Sequence, residues 1–177
     1  MRLILLIAVS VIQFSALAQP ADFGNKAKIY LVRHAEKGPG DDPLLTDRGN
    51  KRAGELVKLL KNKKIARIYV TEFRRTQNTS DSLRIQLGID TVHYFSDTAR
   101  IDELLGKIRA NSDENKHILI IGHSNTIPLI IRKLGLPAYP AANIPDDQFN
   151  NVFLVTYKNG KAFLKKTTYG ALHSVFQ

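Results

Sequence analysis

Two apolar runs, Lys28–Val32 (KIYLV) and His117–Ile121 (HILII), constrain the fold more than any other feature of this 177-residue chain. Each is too short for a helix, rich in β-branched residues, and free of the polar alternation of a half-exposed strand. Such a run is the mark of a strand covered on both faces, as in a parallel sheet packed between helices. Thr46 is placed to cap a helix in which Ala53, Leu56, Val57 and Leu60 recur at helical spacing. Ile68–Val70 reads as a second strand, followed by a helix from about Arg74 to Leu87 that Gly88 closes. Thr91–Phe95 reads as a third strand, and a helix over about Thr98–Ala110 buries Ile101, Leu104, Leu105 and Ile108. A further helix runs from Asn125 to about Leu134, and residues 135–151, with several prolines and glycines, read as loop. Val152–Tyr157 and Ala162–Thr168 flank Lys158-Asn159-Gly160, whose Asn-Gly pair predicts a hairpin. The order predicts an α/β fold: a three-layer α/β/α sandwich with a mostly parallel mixed sheet and a C-terminal β-hairpin.

The ends and the composition narrow the classes further. Arg2 precedes an apolar run from Leu3 to Ile12, and Ala16-Leu17-Ala18 supplies the small-x-small pattern of a signal-peptidase site. Residues 1–18 are therefore expected to be a signal peptide cleaved near Ala18, leaving 19–177 as a single domain in the periplasm or outside the cell. The run is shorter than the ~20 apolar residues of a membrane helix, so no membrane contact is expected after cleavage. The absence of Cys excludes thiol catalysis, disulfides and Cys-ligated zinc. The formal net charge of +10 is concentrated in residues 48–75, where ten basic side chains stand against Glu55 and Glu72. Local charge of this kind suits an anionic ligand or a solvated helix face, and without interleaved aromatics it predicts no nucleic-acid partner. Arg75 is expected to face the anion, and Lys51, Lys58, Lys61, Lys63 and Lys64 to face water.

Chemistry is concentrated where strands end. His34 follows the first apolar run and His123 the second, so both imidazoles are expected at the carboxyl edge of a parallel sheet, where ligands bind in open α/β folds. Arg33 precedes one of them, and Arg74-Arg75 opens the helix after the second strand. Forked guanidinium donors beside imidazoles and a helix start suit a tetrahedral oxyanion. His93 and His117 lie within strands and His173 in the C-terminal tail, and all three read as structural.

Four motifs appear in order: Leu31-Val32-Arg33-His34-Ala35-Glu36, Leu45-Thr46-Asp47-Arg48-Gly49, Thr71 to Thr79 (TEFRRTQNT), and Ile121-Gly122-His123-Ser124-Asn125-Thr126. Together they resemble the histidine phosphatase (phosphoglycerate mutase-like) superfamily, over about residues 28–170. The resemblance implies that His34 attacks phosphorus to give a phosphohistidine, that Arg33 and Arg75 bind the phosphoryl group, and that His123 donates to it. It also implies a phosphoglycerate mutase-like sheet flanked by helices, a small phosphorylated substrate, and neither a metal nor another cofactor. Ser124 and Asn125 are expected to contact the substrate.

The chain departs from the family pattern twice. Ala35 stands where Gly is usual, which narrows backbone freedom beside the nucleophile. More seriously, the Asp that follows the second histidine in acid-phosphatase relatives is Ser124 here, and residues 88–116 lack the context of the mutase Glu. An alkoxide leaving group needs a proton, and Glu36 or Glu72 remains to supply it or to orient the site; Asp97 reads as a helix cap. Without a firm acid, good leaving groups are favoured: phosphohistidine, acyl phosphates or pyrophosphates. The expected activity is exported, metal-independent hydrolysis of a phosphoester or phosphoanhydride through His34; the alternative is a phosphate-binding module without turnover.

Overall fold

The computed structural model describes residues 23–170. The signal peptide expected over 1–18, its cleavage point and His173 lie outside the described residues. Six strands form one sheet in the order β3-β2-β4-β1-β5-β6. They are β1 (Lys28–Arg33), β2 (Ile65–Thr71), β3 (Thr91–Tyr94), β4 (His117–Gly122), β5 (Asn151–Lys158) and β6 (Lys161–Thr168). β1 to β4 run parallel, β5 is antiparallel to β1, and β6 is antiparallel to β5. Helices α1 (Asp47–Leu60), α2 (Arg74–Leu87), α3 (Ile101–Ala110) and α4 (Thr126–Lys133) complete the fold. The architecture is the expected sandwich, with its mixed, mostly parallel sheet.

Apolar alternation within the buried strands separates two cores. Tyr30 and Val32 of β1 and Leu119 and Ile121 of β4 face Leu56 and Leu60 of α1 and Leu83 of α2. Ile29, Leu31, Ile118 and Ile120 face the opposite way, onto Leu104 and Ile108 of α3 and Ile127, Ile130 and Ile131 of α4. Both faces of the two central strands are therefore dry, as their unbroken apolar runs predict. At the sheet margin Asn159 and Gly160, at φ 51° and 72°, form the tight turn that joins β5 to β6.

Three boundaries differ from the sequence reading. β2 begins three residues earlier, at Ile65, with an irregularity before Arg67; the charged Arg67 is accommodated in the strand because its Nε pairs with the buried Asp113. The helix expected from Thr98 opens as a single 3₁₀ turn, Thr98–Arg100, with Asp97 Oδ1 accepting from Ala99 N at 2.9 Å, the cap expected of Asp97. α4 starts at Thr126, one residue after Asn125, whose side chain makes no cap and is left for other contacts.

The register of β1 on β4 positions the site. Arg33 pairs with Gly122, and His34 N extends the ladder by donating to Gly122 O at 2.9 Å. The connection from β1 passes over β4 to reach β2, whereas the connection from β4 leads past β1 to β5. Loops that diverge in this way open a crevice at the carboxyl edge. Gly122 is required there by space alone: a Cβ would lie 2.8 Å from Thr126 Oγ1 and 2.9 Å from the Tyr94 hydroxyl. Gly122→Ala is expected to lower stability by about 1–3 kcal/mol, read as a reduced denaturant midpoint without a change in slope.

Candidate active site

At the mouth of that crevice lies a cavity of about 400 Å³, lined by Arg33, His34, Lys37, Phe73, Arg75, Ser96, His123, Ser124, Asn125 and Asn143. Six of the residues named from sequence, Arg33, His34, Arg75, His123, Ser124 and Asn125, meet there. Glu36 and Glu72 do not line it, and no other carboxylate does.

His34 is buried, and its Nδ1 lies 2.8 Å from the Ala35 carbonyl. A carbonyl only accepts, so Nδ1 carries the proton and Nε2 keeps its lone pair. Burial chiefly, and the charges of Arg33, Arg75 and Lys37, push the His34 pKa down to about 4, although the bond to Ala35 opposes the shift. The peptide that supplies this carbonyl is itself held, since Ala35 N donates to Thr79 Oγ1 at 2.9 Å and Thr79 Oγ1 donates to Arg75 O at 2.7 Å. The Ala35 methyl is fully buried with Leu45 and Ala53. The departure from Arg-His-Gly thus adds packing beneath the nucleophile.

His123 lies beside His34, with ring centroids 5.3 Å apart and edge to face. Its Nε2 is 3.0 Å from Thr71 Oγ1, and Thr71 Oγ1 is 3.0 Å from Thr76 Oγ1. Burial and then the neighbouring His34, Arg75 and Arg33 push its pKa down to about 3. The protonated His123 that a donor role first suggests is therefore not the resting form: cations crowd it, and the ring is neutral near neutral pH.

Both arginines are held at their terminal nitrogens, and neither pairs through Nε among the described residues. Arg33 donates through Nη1 to Pro145 O at 2.9 Å and Asp146 O at 3.2 Å, and through Nη2 to Asp146 Oδ1 at 3.3 Å. Its guanidinium lies 4.2 Å from the Phe149 ring centroid, and that of Arg75 lies 3.9 Å from Phe73. Arg75 Nη1 donates to Asp41 O at 3.5 Å and lies 3.8 Å from Asp42 Oδ1. Asp42 also accepts from Arg74 N at 2.9 Å, closing the start of α2, for which Phe73 provides no side-chain cap. The Nε atoms of both arginines are buried without an acceptor among the described residues. Two unpaired buried donors beside a free imidazole nitrogen make a receptor for an oxyanion.

The two carboxylates proposed from sequence are engaged elsewhere. Glu36 is buried and takes Arg52 Nε at 2.8 Å, Arg52 Nη2 at 2.7 Å and Arg48 Nε at 3.0 Å. Its partners are not the adjacent Arg33 or Lys37. Burial raises its pKa, but the bonds from Arg52 outweigh that and hold it below the usual carboxylate range. An ionised, double-paired carboxylate has no proton to give, so Glu36 is corrected from candidate acid to a residue that fixes the loop after His34. Glu72 accepts from Ser96 Oγ at 2.6 Å and Ser96 N at 3.0 Å, and so holds Ser96 at the cavity edge. Among the described residues no group of three or more His, Cys, Asp or Glu side chains converges as metal ligands would.

Sequence reasoning missed Lys37, Phe73, Ser96 and Asn143 in the lining, and Arg52 beneath it. Arg52 carried a signal: it stands three residues after Gly49 and four before Leu56, within the buried stripe of α1. Phe149, Asp146 and Asn143 come from the loop 135–151, where no periodicity exists to orient a side chain.

Residues 29–97 match the family model of the histidine phosphatase superfamily (branch 1). Solved structures share the fold: the protein histidine phosphatase SixA complexed with tungstate (TM-score 0.60, 18% identity, covering 80% of this chain and 96% of that one); the α-ribazole phosphatase from Shigella flexneri (0.63, 15%, 78% and 94%); and a phosphoserine phosphatase variant from Entamoeba histolytica in complex with phosphoserine (0.59, 17%, 81% and 96%). No curated protein matches the sequence significantly. Over residues 29–97 the chain is thus similar to the histidine phosphatase superfamily, and over most of its described length it shares the fold of these phosphatases.

The depressed histidines couple stability to pH. An unfolded imidazole takes up a proton near pH 6.5, which His34 and His123 refuse until about 4 and about 3. The unfolded state therefore binds more protons across that window, and stability falls as pH drops below about 6.5. Thermal melts from pH 7 to 4 are expected to show this fall, and His123→Gln to reduce its steepness.

Proposed function

We propose that the chain is an exported, metal-independent phosphatase that hydrolyses a phosphoester or phosphoanhydride through a phosphohistidine on His34. One observation carries the reading: His34 Nε2 is an unprotonated nucleophile in a cavity where Arg33 and Arg75 present buried Nε donors without acceptors. The substrates named for the neighbouring structures, a phosphorylated serine among them, belong to the same chemical class.

In the first step the His34 Nε2 lone pair forms a bond to phosphorus while the bond to the leaving oxygen breaks. The resulting phosphorylated ring is cationic, and its Nδ1–H continues to donate to the Ala35 carbonyl. Arg33 and Arg75 stabilise the charge on the equatorial oxygens, where a loose phosphoryl-transfer transition state concentrates it. The same cations keep His34 neutral beforehand, so one arrangement supports both nucleophile and transition state. Water then adds to phosphorus, and the N–P bond breaks to return the lone pair to Nε2.

Turnover of an aryl phosphate in excess chelator tests this, because a phenolate leaves without an acid. His34→Ala is expected to abolish the activity and the acid-labile phosphoenzyme, and Arg75→Ala to lower kcat/KM about 100-fold. Activity lost to the chelator, or unchanged in His34→Ala, overturns the mechanism. The missing carboxylate favours a second reading, a phosphate binder without turnover, which would show tight phosphate binding and no phosphoenzyme.

Export rests on the run from Leu3 to Ile12 and the Ala16-Leu17-Ala18 pattern. Expression in a bacterium with an outer membrane is expected to release a periplasmic product beginning at Gln19, read by N-terminal sequencing; an intact, cell-retained Met1 would refute it.

A further inference from the structure

The cavity lining holds three cationic side chains, Arg33, Arg75 and Lys37, and no carboxylate. A single phosphoryl group accounts for the two arginines, which both line the cavity and leave Nε unpaired among the described residues. Lys37 is left over. It is exposed at the cavity edge and makes no ion pair or side-chain hydrogen bond among the described residues. Among the carboxylates around the site, Asp146 is taken by Arg33, Asp42 by Arg75 and the start of α2, and Glu72 by Ser96. The backbone at Lys37 is held by a bridge to Leu45, so the side chain projects from a fixed base.

A third cation calls for a second anion in the substrate, and the missing acid calls for a leaving group that departs without a proton. A phosphate leaving group meets both demands. Its second pKa is about 6, as in phosphomonoesters, whereas an alkoxide is about as basic as hydroxide, the conjugate base of water with a pKa of about 15.7. The imidazole released from a phosphohistidine also leaves readily but carries no negative charge for Lys37.

We infer that Lys37 forms a second anion subsite and that the substrate is a phosphoanhydride, its scissile phosphoryl group on Arg33 and Arg75 and its leaving phosphate on Lys37. The inference rests on the phosphatase reading above. The N–P bond forms at His34 Nε2 as the bridging P–O bond breaks, and the electron pair departs on the second phosphate as an oxyanion. Lys37 offsets that charge, and solvent protonates the phosphate after release. Inorganic pyrophosphate and a nucleoside diphosphate share this chemistry.

The test measures kcat/KM for inorganic pyrophosphate, phosphoramidate and an aryl phosphate, in wild type, Lys37→Met and Lys37→Arg. Wild type is expected to prefer pyrophosphate to phosphoramidate. Lys37→Met should lower the pyrophosphate-to-aryl phosphate ratio by at least about fivefold, the scale of one partly exposed ion pair, and Lys37→Arg should restore it. A smaller change, or a preference for phosphoramidate, overturns the inference while aryl phosphate turnover leaves the phosphatase reading standing. Loss of all three activities in wild type would instead overturn that reading.

Discussion

The hydrogen-bonded register of β1 on β4 is the constraint on which the rest of the molecule depends. Because Arg33 faces Gly122 across this ladder, the next residue of each strand is a histidine, and the two imidazoles emerge side by side. A slip of one residue would send one ring into the core opposite the other. Register of that strictness needs both faces of both strands to be dry. The cores around Leu56 and Leu83 on one side, and Ile108 and Ile130 on the other, supply that requirement. Packing far from the cavity therefore sets the spacing of the two histidines to within the tolerance of a buried sheet.

Placing two arginines around two buried imidazoles concentrates positive potential, which on its own would oppose folding. The structure answers this asymmetrically. Backbone carbonyls and Asp146 take the outer nitrogens of Arg33, Asp42 stands beside Arg75, and Phe149 and Phe73 lie against the two guanidinium planes. These contacts satisfy the outer faces and fix the side chains, while the inner Nε donors stay unpaired. Both histidines resolve the remaining conflict by staying neutral. The free lone pair on His34 is thus a consequence of burial and charge crowding.

How much of this was legible depended on whether a residue answered to a local pattern. The strands, the four helices and the Asn159-Gly160 turn follow from periodicity and turn chemistry, which act within a few residues. His34, His123, Arg33 and Arg75 were legible because each sits where a strand ends or a helix begins. Glu36 illustrates the opposite case. Its adjacency to His34 suggested a catalytic acid, but alternate residues at a strand exit leave in different directions, and Glu36 turns toward Arg52 sixteen positions away. Asp146 reaches Arg33 across 113 positions from a loop without regular structure, a contact that no spacing rule encodes. The basic stretch of residues 48–75 divides in the same way: Arg75 faces the cavity, Lys51, Lys58, Lys61, Lys63 and Lys64 face water or its margin, and Arg52 is buried.

Thr71 shows how a pocket without a carboxylate can still manage a proton. Its single hydroxyl hydrogen has two acceptors at 3.0 Å, His123 Nε2 and Thr76 Oγ1. When it points to His123, Nε2 accepts and the neutral ring carries its proton on Nδ1. When it turns to Thr76, His123 Nε2 donates to Thr71 Oγ1 and Nδ1 presents a lone pair. An oxyanion beside the ring favours the first arrangement, in which Nδ1 is a donor. By turning, the Thr71 hydroxyl can satisfy Nε2 in either neutral tautomer, so the ring is held without a charge that the cations around it would resist.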